Sequence, residues 1–284
     1  MRRPRATLAA SCLAVALGGC AASPPAVPVP AARVPAAAEV VRAEEARAGT
    51  TRWVHARGIA ELRWRDASGS HFEQGDLDLR WCPGRGIAAS ISKFGDRHAW
   101  IGSDGVRWWR FAPKASPGTL DVGVLSPPAG ADRSLPDECS VNPALLGFAP
   151  LRPREGAAAT VEDGLAWFEL DAAGLPSLGR GRAEAAFDPS TLEPREVRLV
   201  DDSGATMWRV SYGAFGPMRI PGTDLGSWPR VPTRVEAVRG EAGASLLLVF
   251  SSVESDRDAV DRPALYDLEQ LRERFAPQAV RVLE

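Results

Sequence analysis

Side chains with catalytic chemistry are scarce in this sequence. The three histidines, His55, His71 and His98, lie within or beside stretches typical of strands, and no two have the His-x-x-x-His spacing of a zinc enzyme. A Gly-x-Ser-x-Gly nucleophile elbow and a glycine-rich phosphate loop are both absent from the sequence. We therefore expect surface or hydrogen-bonded histidines, no catalytic residues, no cofactor and no enzyme activity. Two separated carboxylates of the glycosidase type remain open, because their distance depends on the fold.

Carboxylates are numerous, but they lie where solvation explains them. Asp76 and Asp78 occupy the polar face of a predicted strand, and Asp201 and Asp202 occupy a turn. A later acidic cluster comprises Glu254, Asp256, Asp258 and Asp261. This cluster could suggest calcium, but it lacks the glycine and the final glutamate of an EF-hand loop. We expect solvated loop residues and no metal site.

Acylation is the chemistry that the sequence indicates most directly, and its site is Cys20. Residues 1–5 carry the basic side chains of a signal, the apolar run 6–19 is too short to cross about 30 Å of hydrocarbon, and that run leads into Leu-Gly-Gly-Cys. This pattern resembles the lipobox of bacterial lipoproteins. The resemblance implies a signal peptide over residues 1–19, diacylation of Cys20, and a membrane that faces an oxidising compartment. Ala21 stands where many inner-membrane lipoproteins have aspartate, which implies the bacterial outer membrane with the domain in the periplasm.

The segment after this cysteine is rich in alanine and proline. Prolines at this density hold the backbone near polyproline II and prevent a packed core. We predict a lipidated anchor and tether over residues 20–38, followed by a single β-rich domain over residues 39–284.

The charge of the chain argues against nucleic acid as a partner. Loss of the three signal-peptide arginines lowers the formal charge from −2 to about −5. No cluster of lysine and arginine beside aromatic residues is present either. The partners we expect are the membrane, through the anchor, a lipid or acyl chain, and an envelope protein.

Cys82 and Cys139 are the cysteines that remain after processing, since Cys12 leaves with the signal peptide. Two thiols in an oxidising compartment are more often paired than free, and a disulfide that closes this loop stabilises by ~4 kcal/mol from chain entropy. We predict that disulfide. A metal role is weakly supported, because neither cysteine has a partner at ligand spacing.

Alternating polar and apolar residues, the pattern of half-buried strands, dominate the rest of the chain. Five early strands in meander order are predicted at residues 57–65, 76–81, 87–92, 98–101 and 106–111. Later strands are predicted at residues 160–171, 181–187, 196–200, 205–212, 231–238 and 244–253. Between residues 113 and 153 the alternation stops, which indicates a long crossover with one short helix at residues 142–147.

About eleven strands with hairpin connections predict a mainly β fold. A helix is also predicted from Asp261, with Leu265, Leu268, Leu271 and Phe275 on one face. We expect a strongly curved antiparallel sheet, a half-barrel, with short helices on its concave side. A β-propeller is the main rival, but no four-strand unit recurs with a fixed motif.

Several motifs resemble those of the lipoprotein-localisation carrier and acceptor (LolA/LolB-like) superfamily. They lie at residues 58–64, 93–95, 100–105 and 108–111, and at residues 187–189 and 192–194 with the hairpin that ends at Tyr212. This resemblance covers most of residues 52–275. It implies an eleven-stranded half-barrel whose concave face, covered by helices, holds acyl chains. The anchored N-terminus resembles that of the outer-membrane acceptor.

Tryptophan is unusually frequent, with nine residues against two tyrosines. Trp64, Trp81, Trp100 and Trp108 fall on four of the five early strands, where several could stack across one face of the sheet. The resemblance implies an apolar cavity, whose lining we expect to comprise Leu62, Trp64, Leu77, Leu79, Trp81, Ile87, Ile91, Trp100 and Trp108. Ordinary core packing of the tryptophans is the alternative.

Two classes of function remain. The first is an outer-membrane lipoprotein that binds lipid or lipoprotein acyl chains, in lipoprotein sorting or envelope biogenesis, without covalent chemistry. The second is a scaffold lipoprotein that fills its concavity with its own side chains and binds a protein partner. An open apolar cavity would favour the first class, whereas a filled concavity with an exposed apolar patch would favour the second.

Overall fold

Strands form most of this structure, a computed structural model that describes residues 33–66, 69–113, 117–125, 142–171, 175, 181–240 and 243–283. Within these residues there are sixteen strands, three α-helices and two single turns of 3-10 helix. The mainly β class predicted from the sequence is confirmed, and the strand count exceeds the one expected. The predicted signal peptide, Cys20, most of the tether and Cys139 lie outside the described residues.

The elements follow one another in chain order. The early strands are β1 (Val54–Asp66), β2 (Gly69–Cys82), β3 (Gly86–Lys93), β4 (Asp96–Ser103), β5 (Arg107–Ala112) and β6 (Thr119–Val124). The later strands are β7 (Thr160–Glu162), β8 (Leu165–Glu169), β9 (Arg182–Phe187), β10 (Pro194–Val200), β11 (Thr206–Tyr212), β12 (Phe215–Pro217), β13 (Arg230–Pro232), β14 (Arg234–Arg239), β15 (Ser245–Ser255) and β16 (Ala279–Leu283). The helices are α1 (Ala37–Ala48), α2 (Arg257–Val260) and α3 (Leu268–Phe275), with 3-10 turns at Leu225–Ser227 and Pro263–Leu265. Among the described residues, no helix has the length and apolar character needed to cross a membrane.

Fourteen of the described strands form one open sheet in the order β16-β6-β5-β4-β3-β2-β1-β15-β14-β11-β10-β9-β8-β7. Neighbouring strands in this sheet are antiparallel, except that β16 pairs with β6 in parallel. β12 and β13 form a separate hairpin. The meander expected for the first five strands is observed, and the pairing of β1 with β15 joins it to the later strands.

The sheet is strongly curved, so residues from distant strands meet on its concave face. Trp208 of β11 and Arg281 of β16 line the same cavity, although nine positions in the strand order separate these two strands. A β-bulge in β1 shifts its register against β15 between Arg57 and Gly58. A Cβ atom at Gly58 would overlap the carbonyl oxygen of Val249, so this close approach requires glycine.

The two faces of the sheet carry separate hydrophobic cores. Leu77, Leu79 and Trp81 of β2 belong to the larger core on the concave face, whereas Cys82 belongs to the smaller core on the opposite face. The smaller core comprises Cys82, Ala88, Trp100, Trp109, Phe111, Leu120, Val260, Tyr266, Leu268 and Leu271. The expectation that the C-terminal helix lies on the concave side is therefore wrong. α2 and α3 cover the tryptophans of the opposite face instead.

Helix α1, which the sequence analysis missed, covers one end of the concave face. Its sequence is rich in alanine, glutamate and arginine, which are strong helix formers. At its start the Glu39 carboxylate accepts a 2.9 Å hydrogen bond from the Ala36 N–H, and Val40 is buried in the larger core. The prolines that suggested a tether over residues 20–38 end before Ala37, where the helix begins.

Three strands, β6, β12 and β16, lie where none was predicted. β6 falls within residues 113–153, whose prolines and glycines obscure its short alternation, and β16 follows α3. The helix predicted at residues 142–147 is instead a series of hydrogen-bonded turns. Asn142 Oδ1 accepts hydrogen bonds from the backbone N–H groups of Ala144 and Leu145. The predicted C-terminal helix is divided into a 3-10 turn and α3.

Candidate functional site

The candidate site is a cavity of about 790 Å³ on the concave face. Its lining residues lie mainly on β1 to β6, β11, β15 and β16. A smaller cavity of about 90 Å³ shares Leu62, Ile91 and Leu246 with the first and extends towards Leu77 and Leu79. The two spaces therefore form one site with a deeper apolar end.

The apolar floor of the cavity follows from the strand register. Leu77 pairs with Ile91, and Ile91 pairs with Ala99, so these three side chains form a row across β2, β3 and β4. The next row runs from Leu79 through Ala89 to Ile101, because Leu79 pairs with Ala89 and Ala89 pairs with Ile101. Since side chains in register share a face, the alternation of three strands produces a continuous apolar surface.

The second row continues into a charged wall. Ile101 pairs with Arg110, Arg110 with Asp121, and Asp121 with Arg281 of β16. Arg281 Nε donates to Asp121 Oδ1 at 2.6 Å, and Arg110 Nη2 donates to Oδ2 at 2.7 Å. Burial alone would raise the pKa of Asp121, but the hydrogen bonds from Arg281 and Arg110 outweigh it and lower the pKa. The Asp121 carboxylate is therefore ionised and is shared by two arginines.

Most of the other charges that line the cavity are basic. The basic lining residues are Arg63, Arg65, Lys93, Arg110, Arg239 and Arg281, and the acidic ones are Glu73 and Asp121. Lys93 Nζ lies 3.5 Å from Glu73 Oε2, and the Lys93 side chain is 41% exposed, which places it at the entrance. More basic than acidic side chains therefore line the cavity, which favours an anionic over a cationic ligand.

The other end of the concave face is filled. Phe148 lies between Trp81 and Phe250, with ring centroids 6.4 Å and 5.7 Å away. Glu44 of α1 accepts a 2.9 Å hydrogen bond from the Leu151 N–H, which fixes this segment beneath the helix. Neither α1 nor residues 142–151 line the open cavity. The concavity is thus half filled by the chain itself and half open.

The nine residues predicted to line the cavity lie in three places. Leu62, Trp64, Leu77, Leu79 and Ile91 line the two connected cavities. Trp81, Ile87 and Trp108 are buried in the larger core. Ile87 pairs with Trp81, which packs on Phe148, so this row lies at the filled end.

Trp100 was wrongly assigned to the cavity. Its neighbour Ile101 lies on the concave face, so alternation places Trp100 on the opposite face. There its ring contacts Phe275 of α3 at 5.7 Å between centroids and the Arg97 guanidinium at 4.8 Å.

The sequence analysis did not identify the charged wall. Arg110 lies in β5, which was predicted from the sequence, but the alternation of residues in one strand does not show which carboxylate an arginine contacts. Asp121 lies in the alternating stretch of β6, a signal that was present between the prolines of residues 113–153. Arg281 and Trp208 enter the site only through curvature and a parallel pairing with β6, which no local pattern encodes.

Three other reactive side chains, those of Cys82, His71 and His98, lie in different surroundings. Cys82 is buried in the smaller core, and burial raises the pKa of its thiol. The structure does not show the predicted disulfide, and since Cys139 lies outside the described residues, the pairing stays a prediction. His71 stacks on Trp64 with ring centroids 4.9 Å apart, and His98 lines the cavity.

The fold and the cavity define a curved half-barrel with an amphipathic pocket on its concave face. No family model matches the chain, and no curated protein matches it. Its fold is similar to that of a DUF1329 family protein from Desulfovibrio piger, with a TM-score of 0.51, 11% identity, and coverage of 83% of this chain and 97% of that chain.

Two further solved structures are similar to this chain. A LolA superfamily protein from Nitrosomonas europaea has a TM-score of 0.48 and 13% identity, over 76% of this chain and 92% of that chain. A putative outer membrane lipoprotein-sorting protein domain from Vibrio parahaemolyticus has a TM-score of 0.45 and 14% identity, over 76% of this chain and 90% of that chain. At these identities the likeness concerns the fold alone.

Proposed function

We propose that the protein binds acyl chains of a lipid or lipoprotein in its concave cavity. The observation that carries this proposal is the open space of about 790 Å³ above the apolar rows of β2, β3 and β4. Pockets for small ligands enclose ~300–1,000 Å³. Burial of an acyl chain contributes ~0.8 kcal/mol per methylene, so binding needs no covalent chemistry.

The charged wall favours a ligand with an acidic headgroup. Arg110, Asp121 and Arg281 continue the row that begins with Leu79 and Ile101, so apolar and charged surfaces adjoin within one cavity. Guanidinium groups bind phosphate and carboxylate through paired hydrogen bonds. An anionic lipid or a fatty acid would satisfy both surfaces.

We further propose that the protein is lipid-anchored at the outer membrane, on the periplasmic side, and acts in lipoprotein sorting or envelope biogenesis. The lipobox that ends at Cys20 supports this location. Phe94, at the turn between β3 and β4, is 97% exposed and follows Lys93 at the cavity entrance. An exposed aromatic side chain at this position suits transient contact with a membrane during ligand transfer.

A scaffold role with a protein partner is the alternative. The end of the concave face beneath α1 is filled by Phe148 and its neighbours, as that alternative expects. The open cavity at the other end favours ligand binding instead, since a filled scaffold needs no such space.

The experiment that tests acyl-chain binding uses the full chain extracted in mild detergent. Native mass spectrometry should detect co-purified lipid that leaves on activation. A stearic acid with a nitroxide near its methyl end should quench tryptophan fluorescence to saturation, because Trp64 and Trp208 line the cavity. A water-soluble nitroxide is the control. An apo mass together with no saturable quenching after lipid is added would overturn the proposal and direct the search to a protein partner.

A further inference from the structure

A second polar cluster lies on the face opposite the cavity, where β1, β15 and α2 meet. His55 of β1 pairs in register with Glu254 of β15 and is 2% exposed. Asp256 follows β15 directly, and its Oδ1 accepts a 2.9 Å hydrogen bond from the Ala259 N–H at the start of α2. The three side chains therefore come from two paired strands and the helix cap beside them.

The hydrogen bond of His55 Nε2 determines which ring nitrogen of this histidine carries the proton. His55 Nε2 lies 3.2 Å from Asp78 Oδ1, and a carboxylate only accepts, so Nε2 carries the proton. In the neutral ring, Nδ1 is left with a lone pair.

His55 Nδ1 is buried and has no hydrogen-bond partner. It faces Asp256 Oδ2 at 3.9 Å, which is beyond hydrogen-bond range. Leaving a buried polar atom unsatisfied costs about 1–3 kcal/mol. A cation bound between this nitrogen and the carboxylates would satisfy it.

The spacing of the ligand atoms suits one metal ion. One ring nitrogen of His55 and one oxygen each of Glu254 and Asp256 all lie within 4.8 Å of one another, and Nδ1 is the ring nitrogen that faces Asp256. Ligands at about 2.0–2.2 Å from one Zn²⁺ ion are separated by roughly 3–3.6 Å. Side-chain shifts on the order of 1 Å would therefore close the site.

We propose that His55, Glu254 and Asp256 bind a divalent first-row transition metal ion, such as Zn²⁺, with Asp78 orienting the imidazole ring. The imidazole ligand favours such an ion over Ca²⁺ or Mg²⁺, which prefer oxygen ligands alone. A carboxylate that accepts the other ring N–H is the usual partner of a metal-bound histidine. Water completes the coordination.

The site would join the C-terminal segment to the sheet. Asp256 links β15 to α2, and the strand pairing of His55 and Glu254 holds the other two ligands. Arg219 Nη1 lies 3.6 Å from Glu254 Oε2, so the metal competes with a half-exposed ion pair for that carboxylate. We expect a structural ion with moderate affinity.

The test uses the untagged full chain, stripped of metal, and titrates it with Co²⁺ and then Zn²⁺. Binding of Co²⁺ with one ion per chain should produce visible d–d absorption bands that Zn²⁺ removes. His55→Gln should abolish the bands, and Asp78→Asn should weaken binding about 10–100-fold. Asp258→Asn, an exposed acid in α2, is the matched control and should leave binding unchanged.

A second variant guards against loss of folding. Glu254→Gln changes a side chain that is 24% exposed, and circular dichroism should show a native spectrum while Co²⁺ binding falls at least tenfold. Absence of the bands in the wild type overturns the proposal. Unchanged Co²⁺ binding in folded His55→Gln or Glu254→Gln, or binding of Ca²⁺ alone, overturns it equally.

Discussion

Arg281 donates a 2.6 Å hydrogen bond from Nε to Oδ1 of Asp121 and thereby joins the last described strand to the cavity wall. The Asp121 side chain is 3% exposed, whereas the Arg281 side chain is 60% exposed. The parallel pairing of β16 with β6 brings the two residues into register. The C-terminal strand therefore contributes both to the stability of the sheet edge and to the charge of the candidate site.

Asp121→Asn should lower the free energy of unfolding by about 2 kcal/mol. The substitution removes the charge that two arginines share in a buried position, although the exposure of those arginines to water reduces the loss. Urea denaturation of both proteins measures the difference. Asp202→Asn, in an exposed turn, is the control and should change stability by less than about 0.5 kcal/mol. Equal losses in the two variants would contradict this prediction.

Acid should remove the advantage that Asp121 gives the wild type. Because the pKa of Asp121 is lower in the folded than in the unfolded state, its stabilisation is complete above the unfolded pKa and is lost as the pH falls through the folded pKa. The stability difference between wild type and Asp121→Asn should stay constant from pH 7 to about pH 5 and shrink below about pH 4. Urea denaturation at several pH values checks this. A stability difference between the two proteins that grows as the pH falls would contradict a lowered pKa of Asp121 in the folded state.

The sequence predicted those parts of the fold that local alternation encodes. Strands β1 to β5 were predicted because residues of different polarity alternate along much of their length, as Leu77 and Asp78 of β2 illustrate. Helix α1 was missed because the preceding prolines dominated the interpretation of residues 20–38. The C-terminal helix was assigned to the wrong face of the sheet. The alternation of side chains along a strand separates the two faces of a sheet, but it does not show which face is concave.

The site was predicted in part for the same reason. Leu77 and Leu79 of β2 share a face by alternation alone, so part of the apolar floor was foreseeable. The charged wall depends on which residue of β6 pairs with Arg110, and therefore on register over a long connection. Likewise, His55 and Glu254 are far apart in sequence and meet only through the pairing of β1 with β15.

A charge on the cavity floor should abolish acyl-chain binding without unfolding the protein. Ile91 is half-buried and lines both connected cavities, so Ile91→Glu would place a carboxylate against the ligand chain. We expect quenching by the nitroxide-labelled stearate to weaken at least tenfold, while the circular dichroism spectrum is kept. Val161→Glu, at a position 60% exposed on β7, provides the control. Wild-type quenching by folded Ile91→Glu would argue against this cavity as the binding site.

Basic residues at the entrance should select for anionic headgroups. Arg63 and Arg65 both line the cavity, and the Arg63 side chain is 63% exposed beside the Phe72 ring. The double substitution Arg63→Gln and Arg65→Gln should weaken binding of an anionic phospholipid about 3–10-fold, through the lost attraction. Binding of a zwitterionic phospholipid with the same chains should change little. High salt should likewise reduce the preference of the wild type for the anionic phospholipid. An equal loss of affinity for both lipids in the double variant would instead indicate that the arginines act through packing.

The buried ion pair of α1 should stabilise the filled end without affecting the ligand site. Glu44 accepts two 2.7 Å hydrogen bonds from Arg47, and the two side chains are 1% and 6% exposed. Glu44→Gln leaves the Arg47 charge uncompensated in the interior, so the free energy of unfolding should fall by about 3 kcal/mol.

The neighbouring residue of the same helix supplies the control for that substitution. Glu45 pairs with Arg152 at 2.7 Å, but its side chain is 43% exposed, so Glu45→Gln should cost less than about 1 kcal/mol. Thermal denaturation of the three proteins compares the two effects. Affinity for the labelled stearate should be the same in all of them at a temperature where each is folded, because α1 lines neither part of the cavity. Weaker ligand binding by folded Glu44→Gln would instead mean that the filled and open ends of the concave face act as one unit.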